Sequence, residues 1–305
     1  MICLHPYRER PEAWRRMGFR RPPRGWARLS RIPHQGLETM TAAIQDRVTT
    51  REGVIFGTGG GRELRCDIYE PPAAVKNGIG VLLIHGGGWS SGDRSQLKGY
   101  GLLLGRRGYT CIAGESRLTG EALWPAQIED VKCAIRYARA NAKDLGIDPD
   151  RLVISGNSAG GHLSLMAGGA MGVAGFEGDG GNAGVSSDVA AVISFYPPTG
   201  LERRSWGGLP ALFGEGATQE TLKGASPLTY ATIKFPPTLL IHGNRDELVP
   251  EGEVIRMYEA LNTAGVPVEM HMFAAQPHGF DADPKLGRQC AEIMLSFMDR
   301  FVLGR

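Results

Sequence analysis

Ser158 sits in Gly156-Asn157-Ser158-Ala159-Gly160, between the β-branched run Leu152-Val153-Ile154 and the helix-compatible stretch His162 to Ala167. A serine at such a strand-to-helix turn is held in a strained backbone conformation. Glycines two positions either side keep the neighbouring strand and helix from clashing with it. The chemistry open to it is nucleophilic attack on an acyl carbon. That needs a base for its proton, an acid to orient the base, and donors for the tetrahedral oxyanion. With 44 glycines in 305 residues the pentapeptide alone is a weak motif, so its partners carry the argument.

The donors are expected in His85-Gly86-Gly87-Gly88-Trp89, directly after the apolar run Val81 to Ile84. Glycines at the carboxyl end of a strand let backbone amides approach a substrate closely, where a flexible turn would be their only other use. Gly87 and Gly88 would donate two hydrogen bonds and Ala159, just after the nucleophile, a third. Losing one such donor costs about 2.7 to 4 kcal/mol of transition-state stabilisation.

Position selects the base among seven histidines. His5 and His34 fall in an irregular N-terminal segment, and His85 and His162 flank glycines in motifs with backbone roles. His271 lies mid-strand in the alternation Val268, Met270, Met272, where packing is its expected task. His278, in Gln276-Pro277-His278-Gly279-Phe280, falls in a turn that can reach back over the sheet edge. For the acid, the loop His242-Gly243-Asn244-Arg245-Asp246-Glu247-Leu248-Val249-Pro250 offers two carboxylates. Asp246 is preferred for its earlier position and short side chain, with Glu247 expected to stay solvated or to meet Arg245. His242 is expected to hydrogen-bond locally as a structural residue.

These residues need a scaffold that brings strand ends together. From Arg65 onward short β-branched runs alternate with helical patterns, which predicts an α/β fold with a mostly parallel sheet and helices on both faces. Strands are expected at 66–69, 81–84, 110–113, 152–155, 189–195, 238–241 and 268–273. Ile128, Val131, Ile135 and Ala138 recur at helical spacing, as do Ile293, Met294, Phe297, Met298 and Phe301 in the last helix, and both sets read as core faces. Pro125 suits the first turn of the earlier helix, and Gly146 and Pro149 punctuate the chain before the next strand. The glycine-rich stretch 168–184 reads as a long surface loop, either bordering the site or merely joining helix to strand.

Composition narrows the class. Hydrophobic residues make up 42% and charged residues 22%, an ordinary globular balance, and a net charge of +2 gives no argument for a nucleic-acid partner. Residues 1–45 form an irregular Arg/Pro-rich arm with scattered aromatics, expected to pack on the main domain or over the site's mouth. Its arginine content loosely resembles a transit peptide, but it lacks the apolar run of a secretory signal. Residues 46–305 are expected to form a single catalytic domain. Five widely spaced cysteines predict buried free thiols, and no CxxC pair or HExxH supports a metal, so no cofactor is expected. No run of about 18 apolar residues predicts a membrane span. A soluble cytoplasmic enzyme acting on a small-molecule ester is the expectation, with room for a homodimer.

Through HGGGW at 85–89 and GNSAGGH at 156–162, the chain resembles α/β-hydrolase esterases of the hormone-sensitive-lipase-like branch over about residues 67–303. Ser91-Gly92-Asp93, Ser116-Arg117-Leu118, Asp148-Pro149-Asp150-Arg151 and the stretch from Phe176-Glu177-Gly178 to Gly184-Val185-Ser186-Ser187 are similar to a neighbouring acetyl-xylan-esterase-like and feruloyl-esterase-like group. The acid loop departs from the D-P-x-x-D of the lipase-like branch and resembles that of dienelactone-hydrolase and prolyl-peptidase relatives. Asn157 replaces the commoner aspartate. The order Ser158, Asp246, His278 is the α/β-hydrolase order. The resemblance implies a serine carboxylesterase acting on short-chain acyl or aryl esters through an acyl-enzyme. Acetyl-xylan or feruloyl esterase, arylformamidase-like amide hydrolysis and an inactive binding protein on the same scaffold are the alternatives.

Overall fold

A computed structural model of the chain describes residues 48–203 and 208–304. The expected arm of residues 1–45 lies outside the described residues. In chain order the elements are β1 (Thr49–Gly59), β2 (Arg62–Glu70), β3 (Gly80–Ile84), α1 (Lys98–Gly105), β4 (Thr110–Gly114), α2 (Ala126–Ala140), α3 (Ala142–Leu145) and β5 (Leu152–Asn157). They continue with α4 (Ala159–Gly169), β6 (Ala191–Phe195), α5 (Leu209–Phe213), α6 (Gln219–Gly224), β7 (Thr238–Gly243), α7 (Gly252–Thr263), β8 (Val268–Phe273) and α8 (Pro284–Met298).

The strands form one eight-stranded sheet in the order β1-β2-β4-β3-β5-β6-β7-β8. The pairs β1/β2 and β2/β4 are antiparallel and all others parallel, so the carboxyl ends of β3 to β8 share one edge. Strands β3, β4 and β6 are buried at every position, as expected of parallel strands covered on both faces. The predicted strands 66–69 and 189–195 are corrected to Arg62–Glu70 and Ala191–Phe195. Strand β1 is an addition. Its apolar run, Val54-Ile55-Phe56, is only three residues long, is flanked by Gly53 and Gly57, and packs through few buried positions. It joins β2 through Gly60-Gly61, both with positive φ, the two-residue turn that matches strand twist.

Helix α2 buries Ile128, Val131, Ile135 and Ala138 as its spacing predicts, each at 1% exposure or less. A fully buried aliphatic side chain contributes roughly 1.5 to 3 kcal/mol, so this face fixes α2 to the sheet. The last helix departs from expectation. Met294, Phe297 and Met298 are buried as expected, but Phe301 is 36% exposed and Ile293 half-buried, and Cys290, Ala291 and Leu295 complete the core face. Beyond Met298 the backbone widens into a π-helical turn, Asp299–Leu303, which rotates Phe301 off the core-facing stripe.

The glycine-rich stretch is tied down rather than free. Gly168 and Gly169 belong to α4, and Glu177 meets the fully buried Lys132 at 2.7 Å and Arg136 at 3.0 Å on α2. Gly180 accepts from the Thr58 amide at 2.8 Å. Motifs singled out for their resemblance do similar structural work: Arg117 grips the buried Asp130, and the Asp93 carboxylate caps the turn at Ser95.

Candidate active site

Ser158 joins β5 to α4 with φ 55 and ψ −117, a left-handed conformation costing about 1 to 3 kcal/mol for a side chain of this kind. Two hydrogen bonds hold it there: its amide donates to the Phe195 carbonyl at 2.9 Å, and its carbonyl accepts from the His162 amide at 2.9 Å. The turn closes onto the end of β3. A Cβ at Gly160 would stand 2.1 Å from the Ile84 carbonyl oxygen and 2.4 Å from that of His85, so only glycine permits this contact. Backbone contact between β3 and α4 thus sets the glycine loop beside the serine.

His278 Nε2 lies 2.9 Å from Ser158 Oγ, and its Nδ1 lies 2.7 Å from Asp246 Oδ2. In the neutral tautomer that fits both contacts, Nδ1–H donates to the carboxylate and Nε2 accepts from the hydroxyl. The other Asp246 oxygen accepts from the Leu248 and Val249 amides at 3.0 and 2.8 Å. His242, fully buried, brings Nε2 to 3.3 Å from Asp246 Oδ2 and 2.8 Å from the Val249 carbonyl. Because a carbonyl only accepts, Nε2 carries a proton, and Nδ1 has no partner among the described residues. Burial alone would raise the Asp246 pKa. The hydrogen bonds from His242, His278 and the Val249 amide, with the His278 charge, outweigh it and hold the carboxyl well below the usual carboxylate range.

The loops carrying acid and base are laced together. Asn244 and Arg245 donate their amides to the Phe273 and Gln276 carbonyls, each at 3.0 Å, and Asn244 Oδ1 accepts from the Ala275 amide at 2.6 Å. On the opposite side, the Gly87 carbonyl accepts from the Ser90 and Ser91 amides, each at 3.1 Å. The amides of Gly87, Gly88 and Ala159 have no acceptor among the described residues. Trp89 anchors this loop by donating from Nε1 to His162 Nδ1 at 3.3 Å, while His162 Nε2 donates to the Ala225 carbonyl at 2.8 Å. Burial lowers the His162 pKa to about 4, against the opposing pull of the Ala225 carbonyl, so the link is neutral.

Ser158, His278 and Asp246 therefore stand in one hydrogen-bonded chain, with Gly87, Gly88 and Ala159 on the loops beside the serine. Glu247 is exposed, and His271 lies on edge strand β8 beside Glu269. The reading of His242 as a locally bonded residue is extended by its contact with Asp246, for which the i, i+4 spacing across a loop gives no sequence signal. Asp281 and Tyr196, packed behind the serine and histidine, carry none either.

Eight mostly parallel strands, a strained serine after β5, an acid after β7 and a histidine after β8 define the class as an α/β-hydrolase esterase of the hormone-sensitive-lipase-like group. Within that class the chain belongs to the BD-FAE family, whose model matches residues 66–261. It is 30% identical to esterase LipQ of Mycobacterium tuberculosis, over 97% of this chain and 70% of that protein. It is also 30% identical to esterase LipC of the same organism, over 77% of this chain but only 61% of LipC. Among solved structures, a truncated carbohydrate esterase from gut microbiota superposes with a TM-score of 0.73 at 27% identity, over 82% of this chain and 96% of that one.

Proposed function

We propose that the protein is a serine carboxylesterase acting on short-chain acyl or aryl esters, with Ser158 as nucleophile, His278 as general base and acid, and Asp246 as its orienting carboxylate. The observation that carries this reading is the unbroken Ser158–His278–Asp246 hydrogen-bond chain, with contacts of 2.9 and 2.7 Å. Ser158 Oγ attacks the ester carbonyl carbon while His278 Nε2 takes its proton. The Gly87, Gly88 and Ala159 amides receive the oxyanion, an arrangement favoured by their lack of protein acceptors. Collapse expels the alcohol, protonated by His278, and leaves the acyl group on Ser158. Water, deprotonated by the same imidazole, then releases the carboxylic acid. No cofactor enters either half-reaction.

Short acyl groups are favoured by the modest cover between β6 and β7, where the described helices α5 and α6 span only Leu209–Phe213 and Gln219–Gly224. With p-nitrophenyl esters from acetate to laurate, kcat/KM is expected to peak among the short chains and fall at least about tenfold by laurate. A maximum at laurate would contradict the short-chain assignment, and no hydrolysis of any ester would contradict the function.

The match to a carbohydrate esterase favours a second reading, removal of acetyl or feruloyl groups from polysaccharide. A higher kcat/KM on acetylated xylan or a feruloyl ester than on p-nitrophenyl acetate or N-formylkynurenine would select it. Cys66, Cys111, Cys133 and Cys290 are free and buried, which suits a cytoplasmic assignment. Among the described residues no helix is long and apolar enough to cross a membrane.

A further inference from the structure

Behind the nucleophile, Asn157 Nδ2 donates to Asp281 Oδ2 at 2.7 Å and to the Tyr196 hydroxyl at 2.9 Å. The Tyr196 hydroxyl in turn donates to Asp281 Oδ1, closing a triangle of three hydrogen bonds, and the Tyr100 hydroxyl adds a fourth to Asp281 Oδ2 at 3.1 Å. Asp281 is 9% exposed and no basic side chain pairs with it among the described residues, so these neutral donors hold its charge.

The corners of the triangle belong to the parts that must meet for reaction. Asn157 immediately precedes Ser158, and Asp281 follows His278 by three residues in the turn Phe280–Ala282. Tyr196 lies between them, its ring meeting the His278 ring edge-on with centroids 4.6 Å apart. Its backbone has φ 37, which tyrosine rarely adopts, and its amide is tied to the Ile241 carbonyl at 2.7 Å. The ring is thus fixed at both its hydroxyl and its main chain.

We propose that Asn157, Tyr196 and Asp281 are positioning residues that set the Ser158 to His278 approach, and that the node requires a donor amide between residues 157 and 281. This rests on the reading of Ser158 as nucleophile. The requirement follows from the direction of the bonds: a carboxylate only accepts, so it needs the amide nitrogen opposite it. Aspartate at 157 would face Asp281 with no donor between the oxygens, whereas asparagine at 281 can turn its oxygen to the Asn157 amide and its nitrogen to the Tyr196 hydroxyl. Asparagine at 281 beside aspartate at 157 restores the bond between these two side chains in the reverse direction, although the single Tyr196 hydroxyl hydrogen then reaches only one of its two acceptors.

The test compares Asn157→Asp, Asp281→Asn and the double exchange with wild type, reading kcat and KM on p-nitrophenyl acetate and the thermal unfolding midpoint. Asn157→Asp is expected to lower kcat about 100-fold with KM within about twofold, because an ångström of misplacement costs that order of rate, and Asp281→Asn to keep kcat within about fivefold of wild type. The double exchange is expected to recover kcat to within about fivefold of wild type. Asn157→Asp with wild-type kcat, Asp281→Asn as impaired as Asn157→Asp, or a double variant no more active than Asn157→Asp would overturn the proposal. Should a single variant fail to fold, the double decides: folded and active supports the node, unfolded overturns it. Wild-type protein that cleaves no ester overturns the nucleophile reading instead. The unfolding midpoints then judge the node, since the double variant must recover most of what Asn157→Asp loses.

Discussion

Replacing Ser158 by alanine is expected to lower kcat by about a million-fold, His278→Ala by a similar factor, and the double replacement by no more than either alone. The reason is mechanical. The hydroxyl is a useful nucleophile only while an imidazole stands ready to take its proton, and the imidazole has no other task in acylation. Once one is gone the other contributes nothing, so the losses do not multiply. What remains comes from substrate binding and the amide donors, about a thousandfold over water. Folding should survive, because among the described residues the Ser158 side chain bonds only to His278, and the His278 side chain is 20% exposed. Kinetics on p-nitrophenyl acetate with an unfolding curve for each variant check this. Multiplying losses would mean that serine and histidine act in separate steps.

Asp246→Asn is expected to cost about ten-thousandfold in kcat. One side-chain oxygen can keep the Leu248 and Val249 amides, but the new amide group would face the N–H groups of His278 and His242, donors set against donors. His278 escapes by moving its proton to Nε2, which turns a hydrogen away from the carboxamide and towards Ser158, where it cannot serve as a base. The same change alters acid stability. The folded pKa of Asp246 lies below its unfolded value of about 3.9, so its stabilising contribution is present above that pH and is lost as pH falls through the folded value. The variant should be less stable than wild type at neutral pH and the difference should shrink below about pH 4, as acid titration of the unfolding midpoint would record. A gap that widens on acidification would contradict the ionised state of Asp246.

The site was legible to different depths in the sequence. Ser158, Asp246 and His278 could be read because each sits just past an apolar run, and a parallel sheet gathers those ends on one edge. The central strands were readable for the related reason that burial on both faces makes them continuously apolar. Strand β1 carries the strand-favouring Thr49, Thr50 and Val54-Ile55-Phe56, but Arg51, Glu52 and three glycines break these into pieces too short to stand out as a strand. Phe301 followed the helical period, but the period failed where the backbone widened at Asp299. Least legible were the polar contacts behind the site. Asn157 and Asp281 lie 124 residues apart with no local pattern, and the Glu177 anchor lies 45 residues from Lys132. Such pairings follow from the folded topology, and a single chain read in order holds no periodicity that points to them.

The most direct measurement treats the protein with an organophosphate ester such as paraoxon and locates the adduct by intact and peptide mass spectrometry. The attacking oxygen displaces p-nitrophenol and keeps the diethylphosphoryl group, so the nucleophile labels itself. One phosphoryl group per chain on the peptide containing Ser158 is predicted, with esterase activity lost in proportion and no labelling of Ser158→Ala. Label on another residue, or full ester hydrolysis by protein quantitatively phosphorylated at Ser158, would contradict the assignment.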